Sequence, residues 1–124
     1  MSVLIDSDIL IEVTRNRDRP IVARWEKLSG GNAPLFCSAV SIAELWHGAL
    51  PHEHANLEAL FSVIHCVAID SKIGMRAGDY LRQYAKSHHL ELGDALIAAS
   101  AFVHNLQLWT RNRRHYPMKD IAFY

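Results

Sequence analysis

Val3-Leu4-Ile5-Asp6-Ser7-Asp8 is the stretch that decides how this chain is organised. Its first three residues form a short apolar run that is typical of a strand buried on both faces. Ser7 and Asp8 are residue types that favour a helix N-cap, so we expect the strand to turn directly into a helix. Asp6 ends the apolar run, where a carboxylate is costly unless a positive partner compensates its charge. This acid therefore needs an explanation beyond helix capping.

Strands and helices are expected to alternate along the rest of the chain. The patterns predict further strands at 35–38, 66–69, 106–110 and 121–124, and helices at 9–14, 21–28, 41–50, 55–63, 73–88 and 92–105. The last helix is rich in alanine, and such small side chains allow close approach to a sheet. Because the strands are separated by helices, the sequence predicts a three-layer α/β fold with a mostly parallel sheet of four to five strands and helices on both faces.

Size and composition restrict the classes of protein to consider. A chain of 124 residues, half of them hydrophobic, suits a single domain spanning residues 1–124. The 13 basic residues balance the 13 acidic ones, so any polyanion must be held by a local patch. Cys37 and Cys66 lie in apolar runs and are expected to be buried small hydrophobes. No segment has the roughly 18 to 20 apolar residues that span a bilayer, so we expect a cytoplasmic protein with no membrane partner.

Two more acids stand beside apolar runs. Glu44 lies in Ser41-Ile42-Ala43-Glu44-Leu45 and Asp94 in Leu92-Gly93-Asp94-Ala95-Leu96-Ile97-Ala98, and we expect each in the first turn of its helix. Taken singly, each has an ordinary explanation, since Ser41-x-x-Glu44 matches a capping box and Gly93-Asp94 favours a helix start. If the fold gathers both acids with Asp6, however, their like charges require protons or a divalent cation, and oxygen ligands suit Mg²⁺ or Mn²⁺.

The topology of an open α/β sheet predicts where such a site would form. Ligands collect beyond the carboxyl ends of the strands, at the point where the strand order reverses. Thr110 and Asn112 end the fourth predicted strand. If that strand lies beside the first, both residues converge with Asp6 and Asp8.

The order of these motifs resembles the PIN-domain family, and more narrowly the VapC-type toxins of bacterial toxin–antitoxin pairs. The resemblance rests on the three acids in their contexts, followed by Thr110-Arg111-Asn112 and His115-Tyr116-Pro117, and it covers almost the whole chain. It implies a compact α/β PIN fold, Mg²⁺- or Mn²⁺-dependent endoribonuclease activity, a VapB-like antitoxin partner and a homodimer.

The resemblance also assigns residues. Asp6, Glu44 and Asp94 match the acidic metal positions of the family, while Thr110 and Asn112 match polar residues that line its active site. Many relatives carry a further Asp where this chain has Asn112 and His115, which leaves open whether one metal or two would be held. A metal-activated water would cleave RNA to a 5′-phosphate and a 3′-hydroxyl.

Neighbouring residues have two interpretations each. Arg111, Arg113 and Arg114 are candidates to contact RNA phosphates, or they form an ordinary solvated surface. His115 would donate to a phosphate or orient the leaving group, or it is a surface histidine. Tyr116 would stack on a base or simply pack. An apolar set could receive an antitoxin helix or a second protomer, or belong to the core: Trp46, Leu50, Leu57, Leu60 and Phe61.

Two other functions compete with the nuclease. A phosphoacceptor receiver domain would use Asp6 and Asp8, with Asp70 as the phosphorylated residue, Thr110 and Lys119. A non-catalytic PIN-like module would only bind a partner.

Overall fold

The sheet has five parallel strands, with the first strand at its centre. A computed structural model describes residues 1–124. The strands are β1 (Val3–Ile5), β2 (Leu35–Ser38), β3 (His65–Val67), β4 (Gln107–Trp109) and β5 (Ala122–Phe123). Their order is β3-β2-β1-β4-β5, so the direction of winding reverses between β1 and β4. The predicted α/β fold is confirmed, and β1 and β4 are neighbours, which was the condition for their following residues to converge.

Six helices connect the strands. They are α1 (Ser7–Arg15), α2 (Arg19–Ser29), α3 (Ala39–Gly48), α4 (His54–Ser62), α5 (Ser71–His88) and α6 (Leu92–Val103), with 3₁₀ turns at Pro51–Glu53 and Arg113–His115. None of the helices is both long enough and apolar enough to span a membrane.

Capping residues set the starts of four helices, α1, α2, α3 and α5, two residues earlier than the sequence predicted. Asp6, and not Ser7 or Asp8, caps α1, because its side chain accepts a hydrogen bond of 2.7 Å from the Ser7 N–H. Ser38 caps α3 by accepting from the Val40 N–H at 3.1 Å. The alternative explanation of Ser41 and Glu44 as a capping box is therefore excluded, and the expected position of Glu44 is wrong, since it lies in the second turn of α3 rather than the first.

Hydrophobic clusters cover both faces of the sheet, which gives the predicted three layers. Leu4 points into the cluster formed with α5 and α6, whereas Val3 and Ile5 point into the cluster on the side of α1 and α3. This alternation follows from the twofold repeat of a strand. Because β1 contributes to both clusters, its position and the turn that follows it are fixed from two sides.

The order of the strands rules out the receiver interpretation. Receiver-type sheets have the order 2-1-3-4-5, which places the third strand beside the first. Here β2 lies between β1 and β3. Asp70 instead caps α5, accepting from the Ile73 N–H at 3.0 Å.

The prediction for the two cysteines is half correct. Cys37 on β2 is buried, and burial raises the pKa of its thiol to about 12. Cys66 is exposed because β3 is an edge strand with only one of its three residues buried. Neither cysteine forms a disulfide.

We predict that Leu4→Ala lowers the free energy of unfolding by about 3 kcal/mol, since removing a fully buried leucine side chain leaves a cavity between β1 and the helices. Leu4 is 0% exposed, whereas Met75 on α5 is 67% exposed and provides the control, Met75→Ala. Urea unfolding followed by circular dichroism measures both. A loss below about 1 kcal/mol for Leu4→Ala would contradict the assigned packing.

Candidate active site

The candidate site lies at the carboxyl end of the central strand, where the winding of the sheet reverses. Asp6 follows β1 directly, and its backbone N–H donates to the Trp109 carbonyl of β4 at 2.9 Å. Its side chain is only 7% exposed. The fold therefore brings the first acid and the residues after β4 to one point.

Two uncharged donors hold the Asp6 carboxylate. Besides the Ser7 N–H on Oδ1, the Tyr116 hydroxyl donates to Oδ2 at 2.8 Å. The same hydroxyl lies 3.4 Å from Asp94 Oδ1. Tyr116 thus links two of the three predicted acids. This role differs from both interpretations of Tyr116 drawn from the sequence, which were base stacking and simple packing.

Serine hydroxyls connect the third acid to the same turn. The Ser7 hydroxyl lies 2.8 Å from Glu44 Oε1 and 2.8 Å from the Ser41 hydroxyl. Since a hydroxyl carries one proton, Ser7 donates to the carboxylate and accepts from Ser41. Both serines are buried, whereas Glu44 is exposed at the edge of the site. This function of Ser7 could not be predicted from the sequence, because its position after a strand suited a helix cap equally well.

Asp8 holds the loop that follows β4. Its Oδ2 accepts from the Arg111 N–H at 3.0 Å, the Thr110 hydroxyl at 3.3 Å and the Asn112 amide at 3.4 Å. Its Oδ1 is buried and has no hydrogen-bond partner. Burial, and secondly the charge of Asp6, raise the pKa of Asp8. The predicted convergence of Asp6, Asp8, Thr110 and Asn112 is confirmed.

The electrostatics of the site depend on like charges that lie close together. Burial, followed by the charge of Asp6, raises the pKa of Asp94 from 3.8 to about 6, and Glu44 adds to this shift. His115 opposes it, with its Nδ1 3.9 Å from Asp94 Oδ2, although this histidine is 61% exposed. Burial and the charges of Asp6 and Asp94 also raise the pKa of Tyr116, which stays a hydroxyl donor.

The arginines predicted to contact phosphates differ in their surroundings. The Arg111 guanidinium lies 3.2 Å from Glu12 Oε1 and 3.7 Å from Asp18 Oδ2, and Glu12 is a buried residue of α1. Arg113 is exposed, but its guanidinium donates to the Tyr124 carbonyl at 3.3 Å and lies 5.0 Å from the centre of the Phe123 ring. Arg114 is exposed and forms no salt bridge, so it is the arginine of the three without a charged or aromatic partner.

The donor set is suited to a hard cation. No group of three or more His, Cys, Asp or Glu side chains is arranged closely enough to ligate one ion directly. Nevertheless, the three acids influence one another, and neither lysine nor arginine forms a salt bridge with any of them. Mg²⁺ usually takes one or two protein carboxylates together with water, so carboxylate oxygens without a cationic partner fit such an ion.

Comparison with protein families gives a match to the PIN domain over residues 3–123. The chain belongs to the PIN-domain family. This PIN-domain protein is 40% identical to "Ribonuclease VapC10" of Mycobacterium tuberculosis over 118 residues, which cover 94% of this chain and 86% of that protein. It is 34% identical to "Ribonuclease VapC19" of the same organism, with 93% of this chain and 92% of the relative covered. The resemblance read from the sequence is confirmed.

Solved structures with the same fold include toxin–antitoxin complexes. VapBC2 from Rickettsia felis, bound to a DNA fragment from its promoter, matches with a TM-score of 0.83 at 19% identity, over 100% of this chain and 98% of that chain. FitAcB from Neisseria gonorrhoeae matches with a TM-score of 0.79 at 25% identity, over 98% of this chain and 96% of that chain. Whole-length matches of this kind support the PIN-domain architecture described above.

We predict that Asp94→Asn stabilises the metal-free protein at pH 7.5 by on the order of 1–2 kcal/mol. This value is smaller than the free energy equivalent to the whole pKa shift, because Asp94 is partly solvated and water screens its charge. The pKa is raised on folding, so the ionised side chain opposes folding above pH 6. At pH 3.5 the folded state carries the proton and the unfolded state mostly does, because its pKa is 3.8, so the difference should nearly vanish. Urea unfolding in EDTA at the two pH values measures this, and a less stable Asn variant at pH 7.5 would contradict the assigned environment.

Proposed function

We propose that this PIN-domain protein is an endoribonuclease that depends on Mg²⁺ or Mn²⁺ and acts as the toxin of a toxin–antitoxin pair in the cytoplasm. One observation carries the proposal: Asp6, Asp94 and Glu44 are linked around the turn after β1 by uncharged hydroxyls, with no lysine or arginine to neutralise them. Like-charged carboxylates held in this way favour a divalent cation. Two relatives named ribonucleases, at 40% and 34% identity, support RNA as the substrate.

The residues of the chain would each have a defined task in this reaction. Asp6, Glu44 and Asp94 would hold the ion, at least one of them through a water molecule because the three are not close enough to ligate one ion directly. The ion, when bound, would lower the pKa of water and offset the charge that develops on the phosphate. Ser7 orients Glu44 by its hydrogen bond of 2.8 Å. Asp8 keeps the Thr110–Asn112 loop beside the acids and so shapes the wall of the cleft.

Exposed cationic side chains would hold the RNA backbone. Arg113, Arg114 and His115 follow one another at the rim, and His115 lies beside Asp94. A phosphate at this rim would receive charge-assisted hydrogen bonds without direct readout of a base. The 5′-phosphate and 3′-hydroxyl products expected from the sequence belong to the same proposal.

We predict that Asp6→Asn and Asp94→Asn each lower the rate of RNA cleavage in Mg²⁺ by more than about 100-fold. Even substitutions of residues that only orient the ligands of a metal lower metal affinity or activity by roughly 10–100-fold, and loss of a ligand should have a larger effect. Excess EDTA should abolish cleavage by the unaltered protein, and added Mn²⁺ should restore it. The measurement is cleavage of a labelled RNA, followed by sequencing of the product ends.

Asp79→Asn is the matched control, because Asp79 is an exposed acid of α5 that pairs only with Arg82. It should cleave RNA at the rate of the unaltered protein. Intact RNA after incubation of the unaltered protein with Mg²⁺ would overturn the nuclease and favour a non-catalytic PIN-like module. Full activity of Asp6→Asn would refute the site.

A groove of mixed polarity beside Glu44 supports a VapB-like antitoxin as partner. The groove lies between α1, α3 and α4, with Ile11 and Leu57 on its apolar side and Arg15, Glu44 and Glu53 as charged lining residues. Trp46 and Leu50 are exposed on α3 and just after it. A partner's apolar helix seated here would cover one of the three acids. The solved neighbours that are toxin–antitoxin complexes support the same partner class. Homodimerisation is part of the proposal.

The apolar set predicted from the sequence is only partly available to a partner. Leu57 is buried, and Leu60 and Phe61 pack against the core, so these three residues stabilise the fold. Trp46 is 39% exposed, stacked on His54, and Leu50 is 56% exposed.

A toxin expressed alone should inhibit growth of the host cell. We predict that co-expression with the small open reading frame next to the gene of this protein restores growth and suppresses RNA cleavage. The product of that reading frame should copurify with this protein. Trp46→Ala combined with Leu50→Ala should reduce copurification by at least about tenfold, since exposed aromatic and aliphatic anchors dominate such interfaces. Met75→Ala, which removes an exposed side chain of α5, is the control. Undiminished copurification of the double variant would show that the partner binds elsewhere.

A further inference from the structure

Tyr116 combines a rigidly packed ring with a hydroxyl inside the acidic site. It follows the 3₁₀ turn at Arg113–His115 and is only 3% exposed. Its ring belongs to the cluster that contains Leu4, Leu108 and Met118. Because close packing restricts the ring, the position of the hydroxyl is set by the core rather than by the acids that it contacts.

The hydroxyl contacts two acids that come from different elements. It lies 2.8 Å from Oδ2 of Asp6, which follows β1, and 3.4 Å from Oδ1 of Asp94, which lies in the first turn of α6. Asp6 Oδ1 is held separately by the Ser7 N–H at 2.7 Å. With one donor on each oxygen, the plane of the Asp6 carboxylate is fixed, and the second lone pairs of the oxygens stay available.

From this geometry we infer that Tyr116 is a positioning residue for the proposed metal site: its hydroxyl fixes the direction of the Asp6 carboxylate and its separation from Asp94, and thereby sets the affinity for the ion. The inference rests on the proposed function. Hydrogen-bonding partners that orient metal-binding side chains typically contribute 10–100-fold to metal affinity. Tyr116→Phe keeps the ring and removes only the donor.

Tyr80 provides a matched comparison within the same chain. It is 2% exposed on α5, belongs to the same hydrophobic cluster, and donates its hydroxyl to Asp120 Oδ1 at 2.8 Å. Asp120 is not among the acids of the candidate site. Tyr80→Phe therefore removes a hydroxyl–carboxylate hydrogen bond of equal length that has no connection with the proposed ion.

The test compares Mn²⁺ binding by the full-length unaltered protein, Tyr116→Phe and Tyr80→Phe, by isothermal titration calorimetry without RNA. We expect Tyr116→Phe to weaken Mn²⁺ binding by about tenfold or more, whereas Tyr80→Phe should change it less than about twofold. Urea unfolding in EDTA accompanies the titration, so that an effect of lost stability, which both variants share, is separated from an effect on the ion.

RNA cleavage as a function of Mn²⁺ concentration provides a second readout. Tyr116→Phe should shift the half-maximal Mn²⁺ concentration upward by the same factor, with the rate at saturation largely retained. Equal or tighter Mn²⁺ binding by Tyr116→Phe overturns the inference alone, as does an equal loss in Tyr80→Phe. An unaltered protein that binds no Mn²⁺ would overturn the proposed metal dependence and the inference together.

Discussion

Repulsion between partly desolvated carboxylates at the end of the central strand is the constraint on which the site depends. Asp6 is nearly inaccessible to water, and Asp94 lies near enough for the two charges to affect each other. Burial of such charges is unfavourable unless hydrogen bonds or cations compensate it. Here Asp6 is compensated by a backbone N–H and a hydroxyl, and Asp94 by a hydroxyl and the exposed His115, with no lysine or arginine paired to either acid.

The surrounding structure resists this repulsion from several directions. β1 is held by clusters on both faces, and Asp8 ties the loop after β4 to the first turn of α1. Arg111 connects that loop to Glu12, a second buried acid one turn further along α1. The loop after β4 is therefore attached to α1 at two points, and displacing it would disturb the helix.

Apolar runs separated by polar turns were enough to predict the α/β fold and to single out the three acids beside those runs, because strand burial and helix periodicity are local properties. The exposure of Cys66 could not be read in this way, since it depends on which strand lies at the edge of the sheet. The contacts of the Ser7 and Tyr116 hydroxyls with the acids were not predicted, for a related reason. Each contacts an acid distant in sequence, and each residue type had an adequate local explanation as a cap or a packed ring.

The absence of a lysine or arginine paired with the three acids has a consequence for the order of binding steps in the proposed reaction. A cluster of acids oriented by arginine or lysine would already be neutralised, and it would admit a polyanion whether or not a divalent ion were bound. This cluster retains its negative potential, which attracts small cations and repels a nucleic-acid backbone. In the proposed reaction, electrostatics would therefore favour an order of arrival, in which the divalent ion binds before the polyanion approaches the acids.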